Sequence, residues 1–296
     1  MTPAGLPHVE GVSHRTVRIA AADGPLDVHV AEAGSGPPVL LLHGWPQHWY
    51  SWREVVARLA GEHRLVMADL RGFGWSDAPG RGYHPEVFAA DTLALLDALG
   101  LDRVNVIGHD WGGNTSFLLA LHHPERVRAL VLCNAPAPWV RPSARLVLGA
   151  WRAWYVPALA APVLGPRLAR NGPFLHLIAR GQHGTRAPAD DPVYAERLRD
   201  PRRALASSKL YRSYLTIAAR VLIGRRYEAL RLKVPVRLLF GRDDPYIPLA
   251  YLDGVEAHGD DFTVELIPGC GHWTPEERPD LVANRARALF AEKAGP

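Results

Sequence analysis

The 296-residue sequence predicts an α/β protein: one mostly parallel sheet with helices on both faces, interrupted by an inserted helical block. Three observations carry this. Short continuous apolar runs recur through the first half of the chain, separated by helix-length amphipathic segments. Strand signal then vanishes from about Ala137 to about Arg231 and afterwards returns in two more runs. An alternating pair of segments precedes the whole series, with the spacing of antiparallel strands.

Thr16 to Ala22 and Leu26 to Ala33, separated by Asp23-Gly24-Pro25, read as that pair. Val39-Leu40-Leu41-Leu42 is a run suited to burial on both faces of a parallel sheet, and Leu65 to Met67, Val104 to Ile107 and Val127 to Leu132 repeat it. Trp52 to Leu59, Pro85 to Leu99 and Gly113 to His122 carry helical periodicity, with Gly61 and Gly100 as stops for the first two. Leu146 to Leu159, Arg167 to Arg180, Pro192 to Leu198 and Pro201 to Leu222 read as helices, punctuated by Pro157, Pro162, Pro166, Pro173 and Pro188. Val234 to Phe240 and Phe262 to Ile267 restore the sheet, and Pro279 to Phe290 closes it as a helix. The expected division is a core of residues 1–136 and 232–296 around a helical cap of residues 137–231.

Composition narrows the function classes. Hydrophobic residues make up 48% and charged residues 22%, which supports a large core and excludes disorder as the main state. No stretch is long and apolar enough to span a membrane, and Met1 to Gly24 lacks a signal-peptide core, so a soluble, cytoplasmic protein is expected. Cys133 and Cys270 provide neither a disulfide framework nor a metal-ligand spacing; no metal and no cofactor is expected. Between Arg141 and Arg231 there are 17 basic and 5 acidic residues, a net of +12 that leaves −8 for the remainder. The arginines are interspersed with Leu, Ala and Val at helical spacing, which reads as a solvated basic face; no nucleic-acid partner is expected. Oligomeric state is not legible.

The sharpest motif is Gly108-His109-Asp110-Trp111-Gly112, placed directly after one apolar run and before a helix. It has the G-x-nucleophile-x-G form, with Asp where serine usually stands. A sharp strand-to-helix turn strains its central residue and leaves no room for side chains beside it, which accounts for the glycines. Free N–H groups at the helix start favour an ionised carboxylate. A plain N-cap role for Asp110 is the alternative, against which the flanking glycines argue. Chemistry of this kind needs a base, an orienting acid and an oxyanion site. His272, in Gly271-His272-Trp273 after Phe262 to Ile267, supplies the base. Asp243 or Asp244, after Val236 to Phe240, orients it, with Asp244 preferred. His43-Gly44-Trp45-Pro46 follows the first buried run and can aim the Trp45 N–H, together with that of Trp111, at one oxygen. Trp45-Pro46 is a candidate cis peptide.

His43-Gly44-Trp45-Pro46, Asp69 to Pro79, Gly108 to Gly113 and Gly271-His272-Trp273 together resemble the epoxide hydrolases of the α/β-hydrolase fold, over about Val17 to Phe290. The resemblance implies an α/β-hydrolase core with an inserted cap. It also implies a small-molecule epoxide and water as reactants: Asp110 opens the ring to give an alkyl ester, and His272 with Asp244 activates the water that hydrolyses it. Two cap tyrosines are implied as acids toward the epoxide oxygen. Tyr211 matches the later one. The position of the earlier falls near Ala158, where Tyr155 is the nearest tyrosine, and Tyr214 is an additional candidate. His43, Pro46, Tyr214 and Trp273 are expected to line the substrate pocket. A dehalogenase sharing the Asp ester chemistry and a non-catalytic binding protein on the same fold are the alternatives.

Overall fold

The computed structural model describes residues 5–140, 143–179, 192–224 and 227–292. Among these, eight strands form one sheet: β1 (Ser13–Ala21), β2 (Gly24–Ala33), β3 (Pro38–Leu42), β4 (Arg64–Ala68), β5 (Val104–His109), β6 (Val127–Cys133), β7 (Val236–Gly241) and β8 (Phe262–Ile267). Their order is β1-β2-β4-β3-β5-β6-β7-β8. Only β2 runs against its neighbours; from β4 to β8 every pairing is parallel. The mostly parallel sheet with an antiparallel pair at one edge, expected from the sequence, is thus the observed one.

Continuous apolar runs are explained by burial on both faces. Leu40, Leu42, Val66, Val104 and Val106 point into one cluster with α2 (Pro85–Ala98) and α3 (Asp110–His122). Val39, Leu41, Leu65, Met67 and Ile107, one residue out of phase, point into another with α1 (Arg53–Leu59) and α11 (Pro279–Glu292). Each fully buried Leu or Val stabilises the fold by about 1.5–3 kcal/mol. The direction of winding reverses between β3 and β5, so a crevice opens at the carboxyl ends of the central strands. Asp110 lies there.

Between β6 and β7 the described residues are helical: α4 (Ala144–Gly149), a 3₁₀ turn (Ala150–Ala153), α5 (Tyr155–Ala160), α6 (Leu164–Ala169), α7 (Gly172–Ala179), α8 (Pro192–Leu198) and α9 (Pro201–Gly224). The expected helix from Leu146 to Leu159 is broken into three pieces, and that from Arg167 to Arg180 into α6 and α7. Gly172-Pro173 restarts the chain as α7, and Gly165, inside α6, lets that helix approach the end of α5, since a Cβ there would collide with the Leu159 carbonyl. Arg141, Arg180 and Pro188 lie outside the described residues. A short helix, α10 (Thr274–Glu277), was not expected.

Part of the basic block is not the solvated face that periodicity suggests. Arg203 is buried: its Nε donates to the Gly74 carbonyl at 2.6 Å and its Nη2 to that of Ser76 at 3.0 Å. Arg197 donates twice to the same Gly74 carbonyl, at 3.0 and 2.9 Å. These bonds pin α8 and α9 to the loop after β4. Asp69 organises that loop, accepting from the Trp49 and Trp75 N–H groups at 2.7 and 2.9 Å and pairing with His29 at 2.7 Å. Burial alone would raise its pKa, but the surrounding imidazoles, His29 foremost, hold it well below the usual carboxylate range.

Candidate active site

β5 ends in a sharp turn at Asp110, whose φ of 48° lies in the left-handed region rarely adopted by residues other than glycine. The turn is possible because its neighbours are bare. A Cβ on Gly112 would collide with the Leu42 carbonyl, and one on Gly44 would lie 2.5 Å from the Asp110 Cβ and 2.6 Å from its Oδ2. Oδ2 accepts the Trp45 N–H at 3.0 Å, and the Trp111 N–H also reaches the carboxylate. Trp45-Pro46 is cis.

Burial is the largest influence on Asp110 and pushes its carboxyl up to about 6, against the His272 imidazole and the two N–H groups, which lower it. The helix-start donors foreseen from the sequence are therefore present, but desolvation outweighs them. Above pH 6 the carboxylate still predominates.

His272 follows β8 and Asp244 follows β7; both are buried. The His272 Nδ1 donates to the Asp244 Oδ2 at 2.7 Å, which leaves Nε2 unprotonated and directed toward the Asp110 Oδ1, 4.0 Å away. Asp244 also accepts from the Asn134 amide at 2.6 Å and from the Tyr246 and Ile247 N–H groups at 2.8 and 3.0 Å. Burial lowers the His272 pKa, but Asp244, by charge and hydrogen bond, more than reverses this and holds it above its ordinary value. Asp243 is exposed.

A cavity of about 560 Å³ opens over Asp110. Tyr155 and Tyr211 both line it, their rings edge to face with centroids 5.8 Å apart. The Trp111 ring meets that of Tyr211 edge-on, centroids 6.1 Å apart. Burial, with Asp110 nearby, keeps both phenols protonated far above their ordinary pKa. Pro46, Trp273 and Tyr214 also line the cavity, the Tyr214 hydroxyl lying 3.0 Å from that of Tyr251. His43 does not. It is buried beneath the oxyanion turn, its Nδ1 donating to the Gly44 carbonyl at 2.9 Å and its Nε2 accepting the Leu70 N–H at 3.0 Å. Both ring nitrogens are thereby spent on holding the turn, and the expectation that His43 touches substrate is corrected.

Several supporting residues went unforeseen. Glu277 clasps the His272 loop, accepting the Gly271 and Trp273 N–H groups at 2.7 and 3.0 Å. His109 bonds the His272 carbonyl at 2.9 Å and the Gln47 side chain at 3.1 Å, and Gln47 continues to Glu276 at 2.5 Å. Tyr246 stacks edge-on against His272, centroids 5.1 Å apart. The Tyr in Asp244-Pro245-Tyr246 and the paired glutamates after Thr274-Pro275 were the available signals. Among the described residues no group of three or more His, Cys, Asp or Glu side chains could hold a metal ion.

A carboxylate presented in a strained turn, a histidine oriented by a second carboxylate and converging N–H donors are the equipment of nucleophilic acyl and alkyl transfer. Residues 37–279 match the family model described as the alpha/beta hydrolase fold, and the chain belongs to that family. Within it, the chain groups with epoxide hydrolases. It is 29% identical to epoxide hydrolase 3 of Xenopus tropicalis over 293 residues, 93% of this chain and 77% of that one. It is 45% identical to the soluble epoxide hydrolase of Corynebacterium sp. (strain C12) over 107 residues, 36% of this chain and only 37% of that relative. The solved structure of the epoxide hydrolase CorEH without ligand superposes with a TM-score of 0.80 at 26% identity, covering 95% of this chain and 99% of that one.

Proposed function

We propose that this protein hydrolyses an apolar epoxide to a vicinal diol through an alkyl ester on Asp110. The observation that carries the reading is the placement of Asp110 between His272, 4.0 Å to one side, and the Tyr155–Tyr211 hydroxyl pair lining the cavity above it. In the first step the Asp110 Oδ1 attacks a ring carbon and the carbon–oxygen bond opens. A tyrosine O–H, Tyr211 or Tyr155, protonates the departing oxygen and becomes phenolate. In the second, His272 takes a proton from a water, which attacks the ester carbonyl carbon; the 4.0 Å gap suits one intervening water. The Trp45 and Trp111 N–H groups stabilise the tetrahedral oxyanion. Of the two water protons, one ends on the departing diol and the other restores the tyrosine.

Residues 137–231 act as the lid in this reading, over a core of residues 1–136 and 232–296. The cavity lining supports a neutral substrate: among the described residues, apart from the tyrosines, Asp110 and His272 are its only ionisable side chains, with no lysine or arginine to hold a carboxylate. A dehalogenase is disfavoured for a related reason. A departing halide needs free N–H donors, whereas the Asn114 amide donates to the Pro136 carbonyl at 3.0 Å. A non-catalytic carrier would have no use for the fixed His272–Asp244 pair.

The test is His272→Gln incubated with styrene oxide. Intact mass is expected to rise by one substrate mass, with the adduct mapped to the peptide containing Asp110. A folded variant that stays unmodified, while the unaltered enzyme turns the same substrate over, would refute the ester.

A further inference from the structure

Exposed apolar side chains are concentrated on one part of the chain. Of the ten large hydrophobic residues that face solvent among the described residues, nine lie between Val147 and Leu215. The densest group is on α4 and the 3₁₀ turn that follows, where Val147, Leu148 and Trp151 are 73, 75 and 70% exposed. Leu148 and Trp151 stand at i and i+3 on one helical face, with Val147 at its edge toward the cavity. Single exposed apolar residues need no explanation, but three large ones on consecutive turns form a patch.

The same stretch is uniformly positive. From Ser143 to Ala179 there is no acidic residue, against Arg145, Arg152, Arg167 and Arg170. The Arg152 guanidinium lies 5.9 Å from the centre of the Trp151 ring, and Arg145 reaches Asp253 of the core at 3.4 Å. The stretch is also a wall of the active-site cavity, lined by Leu146, Val147, Ala150 and Ala153. Val147, Trp154 and Leu215 both line the cavity and face solvent, so they mark a rim beside Leu148 and Trp151.

We propose that this face docks peripherally on an anionic lipid surface, with Leu148 and Trp151 entering the headgroup region and the arginines against phosphate, so that an apolar epoxide passes from the lipid into the cavity. Arginine beside tryptophan and leucine on one amphipathic face is the chemistry of interfacial binding. A second copy of the chain fits less well, since a twofold contact would set this basic patch against itself. Among the described residues no helix is long and apolar enough to cross a membrane, so the contact is on the surface. The delivery of substrate rests on the epoxide reading; the docking does not.

The probe is the full chain sedimented with phosphatidylcholine vesicles, with and without about one third phosphatidylglycerol, at low and high salt. The protein is expected to sediment with the anionic vesicles, less so at high salt, with a blue shift in tryptophan emission. Leu148→Asp and Trp151→Asp are each expected to lower partitioning by about tenfold or more. Hydrolysis of a water-dissolved epoxide, which shows the variants to be folded, is expected to stay unchanged. Three results would overturn the proposal: no sedimentation at low salt, equal binding to neutral and anionic vesicles, or undiminished binding in both variants. So would a concentration-dependent dimer that the two variants abolish. Because vesicle binding is read without catalysis, its failure is distinct from a failure of the epoxide reading.

Discussion

Acidification separates the two chemical steps because they depend on different groups. Alkylation needs Asp110 ionised, and burial has pushed that carboxyl up to about 6. The ionised fraction is then about 91% at pH 7 and about 9% at pH 5, so the alkylation rate constant is expected to fall about tenfold between them. An unperturbed aspartate, at about 3.9, would lose only about 7% over the same interval. Hydrolysis needs His272 neutral, and since Asp244 holds its pKa above the ordinary value, that step fails at higher pH than alkylation does. The assay is stopped-flow tryptophan fluorescence in single turnover, for which Trp45 and Trp111, both lining the cavity beside Asp110, are reporters. Mild acid is expected to slow the second phase first, so that ester accumulates near pH 6. An alkylation rate that is flat from pH 7 to pH 5 would show that desolvation does not govern this carboxylate, and the electrostatic reasoning would fail.

Other consequences follow from the same geometry. Tyr211→Phe and Tyr155→Phe are each expected to slow alkylation by about 10²-fold or more while leaving hydrolysis of a preformed ester unchanged, as rapid-quench kinetics would show. Asp110→Asn is expected to be inactive yet more stable. The folded carboxyl holds its proton to about 6 rather than 3.8, so ionisation opposes folding above that window, and removing the charge returns on the order of 3 kcal/mol in denaturant melts at pH 8. Gly44→Ala forces a Cβ to 2.5 Å from the Asp110 Cβ and displaces the Trp45 donor; ester hydrolysis is expected to slow by about 10²-fold in burst kinetics.

The strands of the core were legible because burial on both faces leaves a continuous apolar signature, as in Val39 to Leu42, and β8 has the expected ends. The turns were legible where glycine is compulsory, as at Gly44 and Gly112. Helix breaks in residues 144–179 were not: the change to a 3₁₀ turn at Ala150 and the break between α6 and α7 fall inside segments whose apolar spacing reads as continuous helix. Asn134 gave no signal: it ends β6 in a left-handed turn (φ 42°), and its use becomes visible only when β7 and β8 bring Asp244 and Thr274 beside it. His43 misled because a histidine next to an oxyanion turn can equally serve as a strut. Tyr155 sits one helical turn from the position that the family pattern suggested, and only the fold brings its ring against Tyr211.

The most direct measurement of the covalent pathway is a single turnover of unlabelled enzyme in heavy-oxygen water, with limiting substrate. The account predicts that the label enters the Asp110 carboxyl group and that both oxygens of the first diol come from epoxide and protein. A labelled diol with an unlabelled Asp110 would mean that water attacks the epoxide directly, and that the carboxylate never bonds to carbon.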